Sequence, residues 1–393
     1  MFDFEYTAPT RIIFGKGAEE KAGSLLRKYG ASKVLVHYGS DRCIRSGLLD
    51  RLLRSISEAG IESCTLGGVV PNPHLGKVRE GIAFGLREGV DFVLAVGGGS
   101  VIDSAKAISY GLAEPEKDVW ELFEKKRAAK AFIPVASVLT IAASGSEMSN
   151  SCVITNEETG EKRAYNDNIA RPAFALMNPE LTMSLPDYQT QSGCSDILMH
   201  TLERYFTQGG NMELTDALAE GLLRTVMRNA LILKDNPENY DARAEVMWAG
   251  SLSHNGLTGC GNDGGDFACH GLEHELGGMF DVAHGAGLTA LWPTWARYVY
   301  MDCLPRFAKF ARNVMDISSA LSEKEQAQQG IDALEDFFRK IEMPVTLREL
   351  GVDPSEEEIL QMAASCARAN GGSKGSAKVL HEEDMAQIYR LAR

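Results

Sequence analysis

No apolar run in the 393-residue chain approaches the ~20 residues that span a bilayer, so an ordinary transmembrane helix is excluded. Cysteine is sparse as well. The eight (Cys43, Cys64, Cys152, Cys194, Cys260, Cys269, Cys303 and Cys366) form no CxxC pair, so neither a disulfide framework nor a cysteine zinc site is expected. Bases are outnumbered, 40 against 54 acids, for a formal charge of −14; a nucleic-acid or anionic-membrane surface needs the opposite field. The opening MFDFEYTAPTRIIFG carries acids where a signal peptide would carry bases and an apolar stretch. A soluble cytoplasmic protein with small-molecule partners is the expectation. No internal repeat or low-complexity tract is present.

Histidine is scarce too, and its placement is therefore informative. Four of the eight lie in two segments, GCSDILMHTLERYF and CHGLEHELGGMFDVAH. Asp196 and His200 are four residues apart, as are His270 and His274, and His284 follows. On a helix that spacing stacks side chains one turn apart on one face. One carboxylate and two or three imidazoles can then converge on a divalent cation.

At this length two domains are expected. Up to residue 186 short β-branched runs alternate with helical patterns: RIIFG (11–15), KVLVHYG (33–39), SCTLGGV (63–69), FVLAVGGG (92–99), FIPVASV (132–138) and FALMN (174–178) read as strands. That alternation predicts a Rossmann-like, doubly wound parallel sheet over 1–186, with a hairpin at 151–166. From 187 to 393 amphipathic stretches such as 214–233, 243–257 and 330–341 predict an all-helical bundle. The fold class is thus α/β plus all-α.

FVLAV runs into GGGSVIDSAKAI, which places Gly97, Gly98 and Gly99 ahead of Ser100 and Asp103 at a helix start. Backbone amides of such a turn suit a pyrophosphate, although the spacing is neither GxGxxG nor a Walker loop and a tight structural turn would also explain it. After the next strand, LTIAASGSEMSNSCVI offers Thr140, Ser144, Ser149 and Asn150, a set of hydroxyls and an amide able to grip a nucleotide.

RIIFGKG, PNP (71–73), GGGSVIDSAKAI, TIAASGSEMSN, SDILMHTLE and GGDFACHGLEHELGGMFDVAHGAGL together resemble the iron-containing (group III) alcohol dehydrogenases, and within them the branch of butanol dehydrogenases and NADPH-dependent aldehyde reductases. The resemblance runs through nearly the whole chain. It implies the fold of that family, shared with dehydroquinate synthase, and hydride transfer between NAD(P)H and a primary alcohol/aldehyde pair such as butanol/butanal. It also implies a metal, Fe²⁺ or Zn²⁺, held by Asp196, His200, His270 and His284, with His274 facing nicotinamide and substrate as the catalytic residue. Gly97, Gly98, Gly99, Ser100, Asp103, Thr140, Ser144, Ser149, Asn150 and Lys162 match dinucleotide-contacting positions, with Asn72 beside them. At the end of the second strand, Ser40 occupies a slot where NAD-using relatives carry an acid, and Arg42 stands near it. NADP(H) is favoured on that ground and NAD(H) possible, with Asp41 opposing.

Trp292, Phe267 and Cys269 flank the histidines and are expected either to line an apolar pocket or simply to pack. Other chemistries on the same scaffold stay open here: a glycerol-type polyol dehydrogenase, a dehydroquinate synthase-like lyase, or a non-catalytic metal- or nucleotide-binding protein. The apolar start of the chain (Phe2, Phe4, Tyr6, Ile12, Ile13, Phe14) reads as an edge strand that pairs across a homodimer.

Overall fold

The computed structural model describes residues 1–208 and 210–393. Contacts divide these into two units, one of Ala8–Ser184 and one of Met1–Thr7 with Leu185–Arg393.

In the first unit, β1 (Arg11–Phe14), β2 (Lys33–Tyr38), β3 (Glu62–Leu66), β4 (Phe92–Gly97), β5 (Val135–Leu139) and β8 (Phe174–Met177) make a six-stranded sheet in the order β1-β8-β5-β4-β2-β3. Every pairing is parallel. Parallel strands covered on both faces must be apolar throughout, and every residue of β4 and β5 is buried. Val34, Val36, Phe92, Leu94 and Val96 turn to one face, where Leu25 and Leu26 of α1 (Ala22–Lys28) and Leu49, Leu52 and Ile56 of α2 (Leu48–Glu58) meet them. Helices α3 (Leu75–Glu88) and α4 (Gly99–Ala113) pack on each other, and α4 lies along β4. The strand β5 starts at Val135 and not at residue 132, since Pro134 has no N–H to give a ladder; its carbonyl still accepts from Val93 N–H at 3.0 Å. A separate antiparallel hairpin joins β6 (Ser151–Asn156) to β7 (Glu161–Asn166).

This strand order fixes where a ligand belongs. From β2 the chain winds outward to β3, whereas from β4 it winds the other way to β5, so the winding reverses between the neighbours β2 and β4. In open α/β sheets the crevice beyond the carboxyl ends at such a reversal is the ligand position. Ser40 follows β2 and Gly98–Ser100 follow β4 at that edge.

No strand includes residues 1–10. Phe2 N–H donates to Gly261 O at 2.9 Å inside the other unit, and the edge strand expected of the first fifteen residues is confined to β1, beginning at Arg11.

The second unit is helical. Its main helices are α5 (Asp187–Tyr205), α6 (Glu213–Asp235), α7 (Tyr240–His254), α8 (Ala268–Phe280), α9 (His284–Val299), α10 (Leu304–Asn313), α11 (Glu323–Lys340), α12 (Glu356–Ala369) and α13 (Glu382–Ala392). Capping boxes at Ser322/Glu325 and Ser355/Glu358 set where α11 and α12 begin. An aromatic cluster of Phe206, Trp292, Trp295, Phe307 and Phe310 fills the core, Phe206 stacking on Phe307 at 4.1 Å. Trp292 and Cys269 are fully buried, so both are packing residues, not the lining of an apolar pocket. Phe267 is the member of that trio that stays partly open, 5.8 Å from His270. All eight cysteines are free, and no described helix is long and apolar enough to cross a membrane.

Candidate functional site

Helix α5 carries Asp196 and His200 one turn apart, α8 carries His270 and His274, and His284 opens α9. The start of α9 lies so close to α5 that a Cβ on Gly285 would fall 2.0 Å from Ser192 O. Only glycine allows that approach, and the residue before it is His284. The three helices aim Nε2 of His200, His284 and His270 at one atom, Asp196 Oδ1, at 3.3, 3.6 and 3.7 Å. Ligand atoms of Asp196, His270 and His284 all lie within 4.8 Å of one another; His274 falls instead in a second such group with Glu273 and His284.

Asp196, His200 and His270 are buried, yet Asp196 Oδ1, His200 Nδ1 and His270 Nε2 have no hydrogen-bond partner. Each such orphan costs about 1–3 kcal/mol, and a cation among them would offset that cost for the atoms it binds. Four N/O ligands placed tetrahedrally about 2.1 Å from a metal stand roughly 3.4 Å apart, close to the separations found here. The donors therefore fit a divalent cation, and nitrogen and carboxylate oxygen without thiolate suit Fe²⁺ or Zn²⁺.

Two glutamates that the sequence reading passed over orient the imidazoles. Glu203 is fully buried on α5; its carboxylate accepts from His270 Nδ1 and from the His270 backbone N–H at 3.1 Å. Glu273, fully buried on α8, accepts from His284 Nδ1. A proton held on Nδ1 leaves the Nε2 lone pair to face Asp196. His200 is different, because no carboxylate meets its Nδ1 and its ring lies against His254 and His270, with centroids 4.0 and 4.3 Å away. Burial, with the neighbouring imidazoles, holds His200 well below the ordinary imidazole range. Burial also pulls His270 down, but the carboxylates of Glu203 and Asp196 outweigh it and raise its pKa to about 9. His274 is partly exposed, its ring 6.4 Å from His270 and 5.9 Å from His284.

The residues singled out for a dinucleotide gather at the carboxyl edge of the sheet and in the hairpin. Thr140 N–H donates to Gly97 O at 3.0 Å, joining the ends of β4 and β5. A Cβ on Gly99 would lie 2.2 Å from Ser144 Oγ, so the glycine turn is also what lets the 141–145 segment close over the start of α4. Thr155, across from Lys162 in the hairpin, donates its N–H to Pro73 O at 2.9 Å and so brings Asn72 to the same hairpin. Asn72 adopts φ 51° and is buried. Asn150 Nδ2 donates to Asn168 Oδ1 at 3.2 Å, and Arg42 donates to Ser184 Oγ at 2.5 Å beside the exposed Ser40. Ser100 is partly exposed in the first turn of α4.

Asp103 and Ser149 are engaged internally. Asp103 accepts from Ser146 Oγ at 2.5 Å and from Val153 N–H at 3.0 Å. One turn along α4 stands Lys106, fully buried, whose ammonium donates to the carbonyls of Ser146, Ser149 and Ser151 at 2.8, 3.0 and 2.7 Å and reaches the hydroxyls of Ser146 and Ser149. Asp103 and Lys106 together clamp the 146–153 segment onto α4.

The chain is similar to known proteins over nearly its whole length. Residues 9–179 match the family described as iron-containing alcohol dehydrogenase, and residues 190–393 match the C-terminal part of the Fe-containing alcohol dehydrogenase family. The chain is 37% identical to NADH-dependent butanol dehydrogenase A of Clostridium acetobutylicum over 99% of both chains. It is 34% identical to the NADPH-dependent aldehyde reductase YqhD of Escherichia coli, covering 90% of this chain and 91% of that one. The crystal structure of NADH-dependent butanol dehydrogenase A from Thermotoga maritima superposes with a TM-score of 0.96 at 36% identity, over 100% of this chain and 99% of that one. With three helices converging on a cation cradle in one unit and a parallel sheet carrying the glycine turn in the other, the chain belongs to the iron-containing alcohol dehydrogenase family.

Proposed function

We propose that the protein is an NAD(P)-dependent alcohol dehydrogenase or aldehyde reductase acting on primary alcohol/aldehyde pairs such as butanol/butanal. The observation that carries this is the set of three imidazole Nε2 atoms facing Asp196 Oδ1, two of them oriented through Nδ1 by buried glutamates. Asp196, His200, His270 and His284 would hold Fe²⁺ or Zn²⁺, and Gly97–Ser100, Thr140, Ser144, Asn150, Lys162, Asn72 and the Ser40/Arg42 edge would hold the dinucleotide. The cation supplies Lewis-acid polarisation of the substrate oxygen, and the nicotinamide supplies or accepts the hydride.

The residues of this chain do the rest. Glu203 and Glu273 keep His270 and His284 in the tautomer that presents Nε2. His274, half-open beside both, moves the proton between substrate oxygen and solvent, a task imidazole side chains commonly perform. Asp103 and Ser149 act by shaping the loop. NADPH is favoured over NADH because Ser40 brings no acid to the adenosine ribose and Arg42 stands next to it; the relatives named above include users of each.

A cytoplasmic homodimer is part of the same reading. It would be joined at the outer edge of β1, where Phe14 is 42% exposed on a strand with one partner only. Oxidation of NADPH and NADH by butanal in the presence of Fe²⁺ or Zn²⁺ tests the activity. Turnover that needs metal and aldehyde together is expected; none with either metal and either cofactor would refute it. Light scattering tests the dimer, and a ~43 kDa monomer would remove it.

A further inference from the structure

Three imidazoles face Asp196, but only two have a carboxylate behind them. His270 leans on Glu203 and His284 on Glu273, while His200 Nδ1 has no hydrogen-bond partner and is buried. An imidazole without such a bond can rotate about its side-chain torsions unless packing holds it. What lies against His200 is His254, in the last turn of α7, with ring centroids 4.0 Å apart and planes 37° from parallel. His270 touches it too, at 4.3 Å and 27°.

We propose that His254 is the positioning residue of His200: its ring, packed tilted against His200, takes the place of the carboxylate that orients each of the other two imidazoles. The role is assigned to the ring surface, which lies against the His200 ring with centroids 4.0 Å apart. The inference rests on the reading of Asp196, His200, His270 and His284 as the metal site.

Zn²⁺ affinity measured by competition with a chromophoric chelator, on the full chain and independent of turnover, tests it. His254→Ala should fold, as judged by thermal unfolding of the metal-free protein, and bind Zn²⁺ about three- to tenfold more weakly, the scale of one lost aromatic pair. His254→Phe should recover most of that loss, because the ring surface is restored without a nitrogen. The visible absorption bands of the Co²⁺-loaded protein should shift in His254→Ala and return toward the wild type in His254→Phe. Wild-type affinity and spectrum in His254→Ala would overturn the proposal, as would a Phe variant no better than Ala, which would give the role to a nitrogen. A wild type that takes up no Zn²⁺, like its Asp196→Ala control, would overturn the metal reading itself and the proposal with it.

Discussion

Replacing Lys106 by Met tests whether the DSAK turn of α4 acts on the cofactor loop from beneath. Methionine nearly matches the lysine stem in length but donates nothing. The carbonyls of Ser146, Ser149 and Ser151 each lose a donor within 3.0 Å, and the buried Asp103, whose charge favours the ammonium, loses its cation. Leaving a buried charge uncompensated costs about 3–5 kcal/mol, and part of that falls on the loop and not on the whole unit. For a unit of this size the full cost would lower Tm by about 6–20 °C. The functional consequence is more specific: Thr140, Ser144 and Asn150 lie in or beside the loosened segment, so KM for the dinucleotide should rise at least tenfold while Zn²⁺ affinity stays unchanged. Differential scanning fluorimetry, chelator competition and cofactor titration on one preparation separate these effects. A variant with wild-type Tm and wild-type cofactor KM would refute the argument, and equal loss of metal and cofactor binding would show general unfolding.

Asp196→Ala and His270→Ala should each leave the protein folded but without stoichiometric metal or turnover; full occupancy in elemental analysis would sink the ligand assignment. His274→Ala should keep its metal and lose roughly 10²-fold or more in kcat, the scale of a general acid–base group; loss of metal instead would exchange its role with that of His270. The ratio of kcat/KM for NADPH over NADH should be at least about ten if Arg42 contacts a 2′-phosphate, and an NADH preference would give the ribose to Asp41. His37 is buried, its ring nitrogens bridging Leu66 O and Ser104 Oγ at 2.9 Å each, and burial lowers its pKa from 6.5 to about 4. The unfolded chain therefore binds the proton first as pH falls, so stability drops between pH 6.5 and pH 4 by about 3 kcal/mol from this group. Urea titrations of wild type and His37→Gln should diverge by that amount, and parallel pH curves would refute it.

The doubly wound sheet was legible because its strands are short, continuous apolar runs between helical patterns, and the hairpin because the Glu158–Gly160 turn breaks an alternating stretch. Boundaries slipped where one residue overrode the pattern, as at Pro134. The pairs Asp196/His200 and His270/His274 could be read from helical spacing, but which imidazoles face Asp196 could not, and the place of His284 depends on Gly285, which seats α9 against α5; packing of that kind leaves no periodic trace. Asp103 is a dinucleotide position by resemblance; that its carboxylate also accepts from Ser146 and Val153 depends on a loop some forty residues later. Lysine is so seldom fully buried that nothing in DSAK alone points to a buried cation.

The orienting glutamates did leave a signal, and it shows how the centre is wired. The first two of the three histidine helices carry the same four-residue unit, HTLE (200–203) and HGLE (270–273), which puts an acid one turn from an imidazole that faces Asp196. Read within one helix, each acid would serve its own histidine. The structure crosses them instead: Glu203 serves His270 on the next histidine helix, and Glu273 serves His284 on the one after. Each of the first two helices therefore carries an imidazole facing Asp196 and the carboxylate that orients its successor's, and His200, the first in the chain of support, has no glutamate behind it. The crossing also concentrates charge. Asp196, Glu203 and Glu273 are all buried within this cluster, and without a cation the raised pKa of His270 lets a proton balance part of that charge. A divalent cation held by Asp196, His200, His270 and His284, as proposed, would do the same with more charge and four directed bonds, so metal and proton would compete for one electrostatic role.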